Sequence, residues 1–388
     1  MIDFENTRIA FRQKSNRQLR RAYWLFRMLA RPVLVSSGSL LTRLAINLRL
    51  PVSWALKPTV FAHFCGGESI DDCDAVIRQL AEAGVQTILD YSAEGKEREA
   101  DFDYTKAQIM ATIDKAAAEK SIPYAVFKPT GLSRFALLEK LQSGAALNNS
   151  EKEEFARVKA RFSDICTYAA SRGVPVMIDS EESWIQGAVD ELVEELMLAH
   201  NKKKPLVFNT LQMYRHDRLD YLRGFVRRAR EQGVHSAFKL VRGAYMEKER
   251  ERAKKFGYPS PIYPDKPATD AAFDEAVAFC LDNVSDVAVC VGTHNEASCE
   301  KAVRLMEQKG FAKNDSRVSF AQLLGMSDHI SCNLAAAGYN VCKYVPYGPV
   351  KTVIPYLIRR AEENTSVAGQ TTRELYLLQK EIRRRKAS

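Results

Sequence analysis

Eight short runs rich in Val, Ile and Phe, separated by charged stretches of helical period, constrain this chain more than any other feature. They lie at 86–90, 123–128, 174–179, 205–212, 236–242, 286–292, 317–323 and 340–345, with helical patterns such as 219–232 and 270–282 between them. Strand alternating with helix selects parallel strands joined by crossover helices. Eight such units in one stretch fit a (βα)8 barrel better than an open doubly wound sheet. The long polar segment 133–172 reads as one or two helices inserted in the second unit. With 388 residues, 46% of them hydrophobic and 27% charged, the chain has the material for a large core and is neither a stapled mini-scaffold nor disordered.

The net charge of +9 sits at the ends of the chain. Residues 1–57 carry eleven Lys/Arg against Asp3 and Glu5, so the remaining 331 residues balance, and from Arg359 onward eight basic side chains face four acidic ones. A nucleic-acid binder spreads its cations over its binding face, so nucleic acid is not expected as a ligand. Between residues 18 and 31, Leu19, Ala22, Tyr23, Phe26, Leu29 and Ala30 recur at helical spacing while Arg20, Arg27 and Arg31 share another face. Such a basic amphipathic helix, with Tyr23 and Trp24, either lies on an anionic membrane or packs on the body. Only eleven uncharged residues separate Arg31 from Arg43, too few to cross a bilayer, and Asp3, Glu5 and Arg27 speak against a signal peptide. Eight cysteines without a CxxC pair read as reduced thiols. The expected organisation is a basic helical segment at 1–57, a catalytic barrel at 58–370 and a basic tail at 371–388, in a cytoplasmic protein touching the inner face of the membrane peripherally.

In a barrel of this kind the C-terminal strand ends build the active site. Here they carry Asp90, Tyr91 and then Glu94; Lys128; Asp179; Gln212; Lys239, Arg242 and Tyr245; Thr293, His294 and Asn295; and Lys343 and Tyr344, with the seventh alone apolar at Leu323 and Leu324. One such residue would be a solvated cap, but seven ends of eight is a convergence. In PYLIRRAEEN, Tyr356, Arg359, Arg360 and Glu363 share a helix face. Arg before Glu is the weaker order for helix stability, and two adjacent guanidiniums suit a carboxylate or phosphate. Neither HExxH, HxH nor GxSxG occurs, so a metal or an elbow serine is not expected; GxGxxG and GxxxxGK[ST] are also missing, so a nucleotide would be held in another way.

The segments KLVRGAYMEKER (239–250), GTHNEAS (292–298), LLGMSD (323–328) and KYVPYGPVKTVIPYLIRRAEEN (343–364) together resemble the proline dehydrogenase family, flavin-dependent enzymes that oxidise proline to 1-pyrroline-5-carboxylate. FCGGES (64–69), LDYSAEG (89–95), VFKPTGL (126–132) and IDSEES (178–183) stand in the family's order, and the resemblance spans about residues 60 to 366. It implies a distorted (βα)8 TIM barrel whose last helix lies over the mouth, FAD as cofactor, membrane quinone as electron acceptor and a pyrroline-5-carboxylate dehydrogenase as a possible partner. It also implies that Arg359 and Arg360 hold the proline carboxylate, that Lys128, Asp179 and Tyr344 line the pocket, and that Tyr245 and Leu323 close round the ring. Glu94 would gate with Arg359, Glu363 would orient the arginines, and Lys239 would join Asp179, Lys128 and Tyr344 in the catalytic set. FAD would contact Ser180, Gln212, Lys239, Arg242, Gly243, Ala244, Thr293, His294 and Asn295. A pyrophosphate bound without a dinucleotide loop needs cations and close backbone, which the Arg-Gly turn at 242–243 offers. The order Lys239 then Arg242 follows the mitochondrial branch, and either cation is a candidate for flavin N5. Tyr344, where hydroxyproline-preferring relatives tend to be smaller, favours proline. Hydroxyproline dehydrogenase, a Schiff-base aldolase using Lys128 and a non-catalytic membrane-docking protein are the alternatives.

Overall fold

The computed structural model describes residues 2–31, 33–35, 38, 53–92, 94–366 and 370–387. Its eight strands are β1 Gln86–Tyr91, β2 Tyr124–Phe127, β3 Val176–Ile178, β4 Val207–Gln212, β5 Ser236–Val241, β6 Val287–Gly292, β7 Val318–Leu323 and β8 Val341–Tyr347, in sequence order around a closed barrel. Each coincides with an expected run to within two residues at either end. Pairing is parallel, as in Ala125 with Val176, Met177 with Phe208 and Lys239 with Cys290. Parallel strands are covered on both faces, and β2, β3 and β4 are buried along their whole length. The insertion at 133–172 is two helices, Phe135–Gln142 and Asn149–Arg172. The second is opened by an Asn148/Glu151 capping box and closed by Gly173 at φ +70°, so its limits are written locally.

Contacts divide the chain into two compact units, Ile88–Ala321 and Met1–Thr87 with Gln322–Ser388. The first holds most of the barrel. In the second, a helix at Asn16–Leu29, opened by a Ser15/Gln18 capping box, buries Leu19, Ala22, Leu25, Phe26 and Leu29. They join Phe61, Phe64, Val353, Ile354, Leu357, Leu377 and Leu378 in one apolar cluster. The apolar stripe seen in the sequence is therefore packed within its own unit. The opposite face, Arg20, Trp24, Arg27, Met28 and Arg31, is exposed, with the Arg27 guanidinium 5.0 Å over the Trp24 ring. The basic C-terminal stretch is a helix, Gln370–Ala387. Its Arg385 donates to the carbonyls of Phe11 and Lys14, 2.7 and 2.6 Å away, and its Lys380 pairs with Glu5 at 2.7 Å. Residues 39–52 of the basic N-terminal segment, with Arg43 and Arg49, lie outside the described residues. All eight cysteines are free thiols.

Candidate active site

Asp179 follows β3, Lys128 follows β2 and Lys239 sits in β5, so the parallel register brings three strand ends together in the first unit. Lys128 Nζ donates to Asp90 Oδ2 at 2.9 Å and to Asp179 Oδ2 at 3.2 Å, and Lys239 Nζ donates to Asp179 Oδ1. Two buried cations thus share one carboxylate. Burial alone would lower the Lys128 ammonium pKa, but Asp90 and Asp179 outweigh it and push it well up. Burial likewise opposes ionisation of Asp179, and Lys239 and Lys128 outweigh it, so this carboxyl titrates below its usual range. Asp90 goes the other way, raised by burial. Lys128 is a fixed ammonium. A Schiff-base nucleophile must be neutral, and the two carboxylates around Lys128 favour its charged form, which counts against the aldolase alternative.

A second group surrounds the turn after β5. Gln212, closing β4, donates through Nε2 to the Glu181 carbonyl at 2.7 Å and accepts the Ala244 amide at 3.0 Å. It is a brace between two loops. Gly243 has φ +145°, and a Cβ there would meet the Tyr214 ring at 2.5 Å, so only glycine fits this turn. Arg242 points elsewhere than Lys239: it donates to Asp270, Thr293 and Ser298 at 2.6, 2.5 and 2.9 Å and lies 4.4 Å from the Phe273 ring centre. Asn295 caps the helix Glu296–Gln308 through the Ser298 amide, with His294 half-buried beside it. Ser180 Oγ is shut off from solvent and finds no protein partner. Tyr245, at the start of helix Met246–Phe256, is buried.

Glu181 was missed by the sequence reading. Its carboxylate accepts the Thr130 amide at 2.8 Å and hydroxyl at 2.6 Å, while Thr130 Oγ1 accepts the Gly95 amide at 3.2 Å. Glu181 therefore holds the loop carrying Glu94. Burial and the neighbouring Glu182 push its pKa up to about 8. Its place beside Asp179 was a usable signal; its contact with Thr130, 51 residues away, was not.

In the second unit, Leu323 ends β7 and Tyr344 is buried in β8, with the Leu324 amide donating to the Tyr344 carbonyl at 2.8 Å. Arg359 and Arg360 lie on the helix Val350–Ser366; Arg360 is buried with its guanidinium 5.4 Å over the Tyr356 ring. Glu363 belongs to the same helix, and its side chain lies outside the described residues.

Residues 73–373 match the model of the family described as proline dehydrogenase. Among curated proteins the chain is similar to the carbapenem antibiotics biosynthesis protein CarD of Pectobacterium carotovorum subsp. carotovorum, 34% identical over 83% of each chain. It is 40% identical to the mitochondrial proline dehydrogenase 1 of Homo sapiens, over 66% of this chain and 44% of that one. The hydroxyproline dehydrogenase of Xenopus laevis is 31% identical over 97% of this chain and 88% of its own. Among solved structures, proline utilization A from Bdellovibrio bacteriovorus superposes with a TM-score of 0.72 at 21% identity, over 82% of this chain and 35% of that one, which shows the fold. The strand-end cluster, the motifs and the matched span together identify the chain as a member of the proline dehydrogenase family.

Proposed function

We propose that this chain oxidises L-proline to 1-pyrroline-5-carboxylate with FAD as acceptor and passes the electrons to a membrane quinone. The observation that carries this is Asp179 held between the Lys128 and Lys239 ammonium groups at the strand ends of a proline dehydrogenase barrel. FAD supplies hydride acceptance when bound. The residues present fit it: Ser180 Oγ is a buried hydroxyl in want of a partner, Gly243 opens the backbone at the turn, and Lys239, Arg242, Gln212, Ala244, Thr293, His294 and Asn295 supply cations and polar groups around it. Arg242 is already spent on Asp270, Thr293 and Ser298, whereas Lys239 stands with Asp179, which supports Lys239 as the cation at the reacting end.

Arg359 and Arg360 would clamp the substrate carboxylate. Tyr344, Leu323 and Tyr245 would hold the ring. Lys128, unable to accept a proton, would act as a fixed positive charge that disfavours the protonated substrate amine, the form that cannot give up a hydride. The exposed Trp24 and Met28 among Arg20, Arg27 and Arg31 support peripheral membrane contact by that face, since the opposite stripe is buried. Among the described residues no helix is long and apolar enough to cross a membrane. A pyrroline-5-carboxylate dehydrogenase would take the product.

A visible spectrum of the purified protein, followed by anaerobic L-proline and then a quinone, tests the reading. A yellow protein that bleaches with proline and recovers with quinone is expected; a colourless protein that FAD cannot reconstitute would overturn it. The Xenopus relative favours hydroxyproline as a second reading, and competition between the two substrates separates them.

A further inference from the structure

The second unit contains a buried charge cluster that the reading above does not use. Lys343 Nζ donates to the carbonyls of Met326 and Leu323, the latter at 3.3 Å, and pairs with Asp328 Oδ1 at 3.0 Å; Lys14 pairs with the other oxygen of Asp328 at 2.8 Å. The Lys343 side chain is 1% exposed. Every other turn of the same short segment is also tied. His63 Nε2 donates to the Gly325 carbonyl at 2.9 Å, the Leu324 amide donates to the Tyr344 carbonyl, and the Ser327 amide donates to Glu374. Ser327 has φ +52°, the one positive φ outside glycine among the described residues, a conformation that persists when its surroundings over-determine it. A Cβ at Gly325 would meet the His63 carbonyl at 2.5 Å.

Neighbours on a strand face opposite sides. With Lys343 turned to the 326–328 segment, Tyr344 is turned the other way, and Leu323 is the residue whose carbonyl Lys343 holds. We propose that Lys343 and Asp328, backed by Lys14 and Glu374, are positioning residues that fix Leu323 and Tyr344 and so set the size of the ring that the site accepts. This rests on the reading that Leu323 and Tyr344 line the proline site. It gives the two ends of the chain a task there: Lys14 precedes the helix Asn16–Leu29 and Glu374 lies on the helix Gln370–Ala387, so both hold the segment that carries the pocket wall.

The test compares kcat/KM for L-proline with kcat/KM for trans-4-hydroxy-L-proline in the FAD-loaded Lys343→Met protein, together with amide hydrogen exchange at 324–327. A loosened wall discriminates less against the added hydroxyl, so the ratio falls about tenfold and the Leu324 and Ser327 amides exchange faster. Lys14→Met and Glu374→Gln shift both readouts in the same direction by less. A role in stability alone would lower Tm and leave the ratio unmoved. A folded Lys343→Met protein with the wild-type ratio overturns the proposal; if that variant does not fold, wild-type ratio and exchange in Lys14→Met and Glu374→Gln overturn it. Absence of proline oxidation in the wild-type protein would instead remove the substrate reading, and amide exchange would still report whether Lys343 ties the segment.

Discussion

The two units each bury a charged cluster, and the clusters are near mirror images. In Ile88–Ala321 the Lys128 ammonium lies between Asp90 and Asp179, with Lys239 on the far side of Asp179. In the other unit the Asp328 carboxylate lies between Lys14 and Lys343. The first joins side chains at successive strand ends, where a barrel presents its chemistry. The second joins a strand, the first turn of the helix Asp328–Ala336 and a residue that precedes the first long helix, and two of its bonds go to backbone carbonyls. A buried ion pair is weak evidence for stability, because desolvation consumes what attraction supplies. The same chemistry thus ties strand-end side chains to one another in one place and holds backbone in the other.

Removing the shared carboxylate is the sharpest way to break that comparison. Asp179→Asn leaves Lys239 without its anion while Lys128 keeps Asp90, and Asp328→Asn leaves both Lys14 and Lys343 without theirs; each is expected to cost about 3–5 kcal/mol in urea unfolding. Asp179→Asn should also abolish flavin bleaching by proline, while Asp328→Asn, where it folds, should keep it. Loss of bleaching in both would erase the distinction between the clusters.

The two faces of the helix Asn16–Leu29 give the next largest effect. Leu19→Ala should destabilise by about 2–5 kcal/mol, since Leu19 is fully buried. Trp24→Ala, at a position 56% exposed, should stay within about 0.5 kcal/mol yet weaken sedimentation with anionic vesicles. Equal loss of stability in both would show that the exposed face is packed.

Glu181 makes the first unit sensitive to pH in a way that Asp328 does not make the second. Its native pKa is raised to about 8, so the native state keeps a proton that the unfolded chain gives up above the ordinary carboxyl value. The stability it contributes is whole below that value and is lost as pH rises through about 8. Burial opposes the charge of Asp328, but Lys14 and Lys343 outweigh it and hold the carboxyl far below its usual range, so it stays ionised throughout. Melting temperatures of Glu181→Gln between pH 6 and 9 should therefore decline less than those of the wild type; parallel curves would show that Glu181 titrates elsewhere. The smallest effect is at the cap, where Ser15→Ala should cost about 1 kcal/mol by leaving the Gln18 amide unpartnered.

Much of the architecture was legible in the amino-acid order because it is local. A run such as 287–291 is apolar throughout because both faces of a parallel strand are covered, and Asn148 with Glu151 announces a helix start within four residues. Strand ends could be read for Lys128, Asp179 and Lys239 once eight units were counted, because the barrel itself gathers such ends. Tertiary structure alone decided that the apolar face of the helix Asn16–Leu29 packs within its own unit, that Arg242 is tied to Asp270, Thr293 and Ser298 while Lys239 goes to Asp179, and that Lys14 meets Asp328. These choices depend on pairs tens to hundreds of residues apart. For a cation, the nearest anion in space decides its role, and neither periodicity nor spacing along a chain carries that distance.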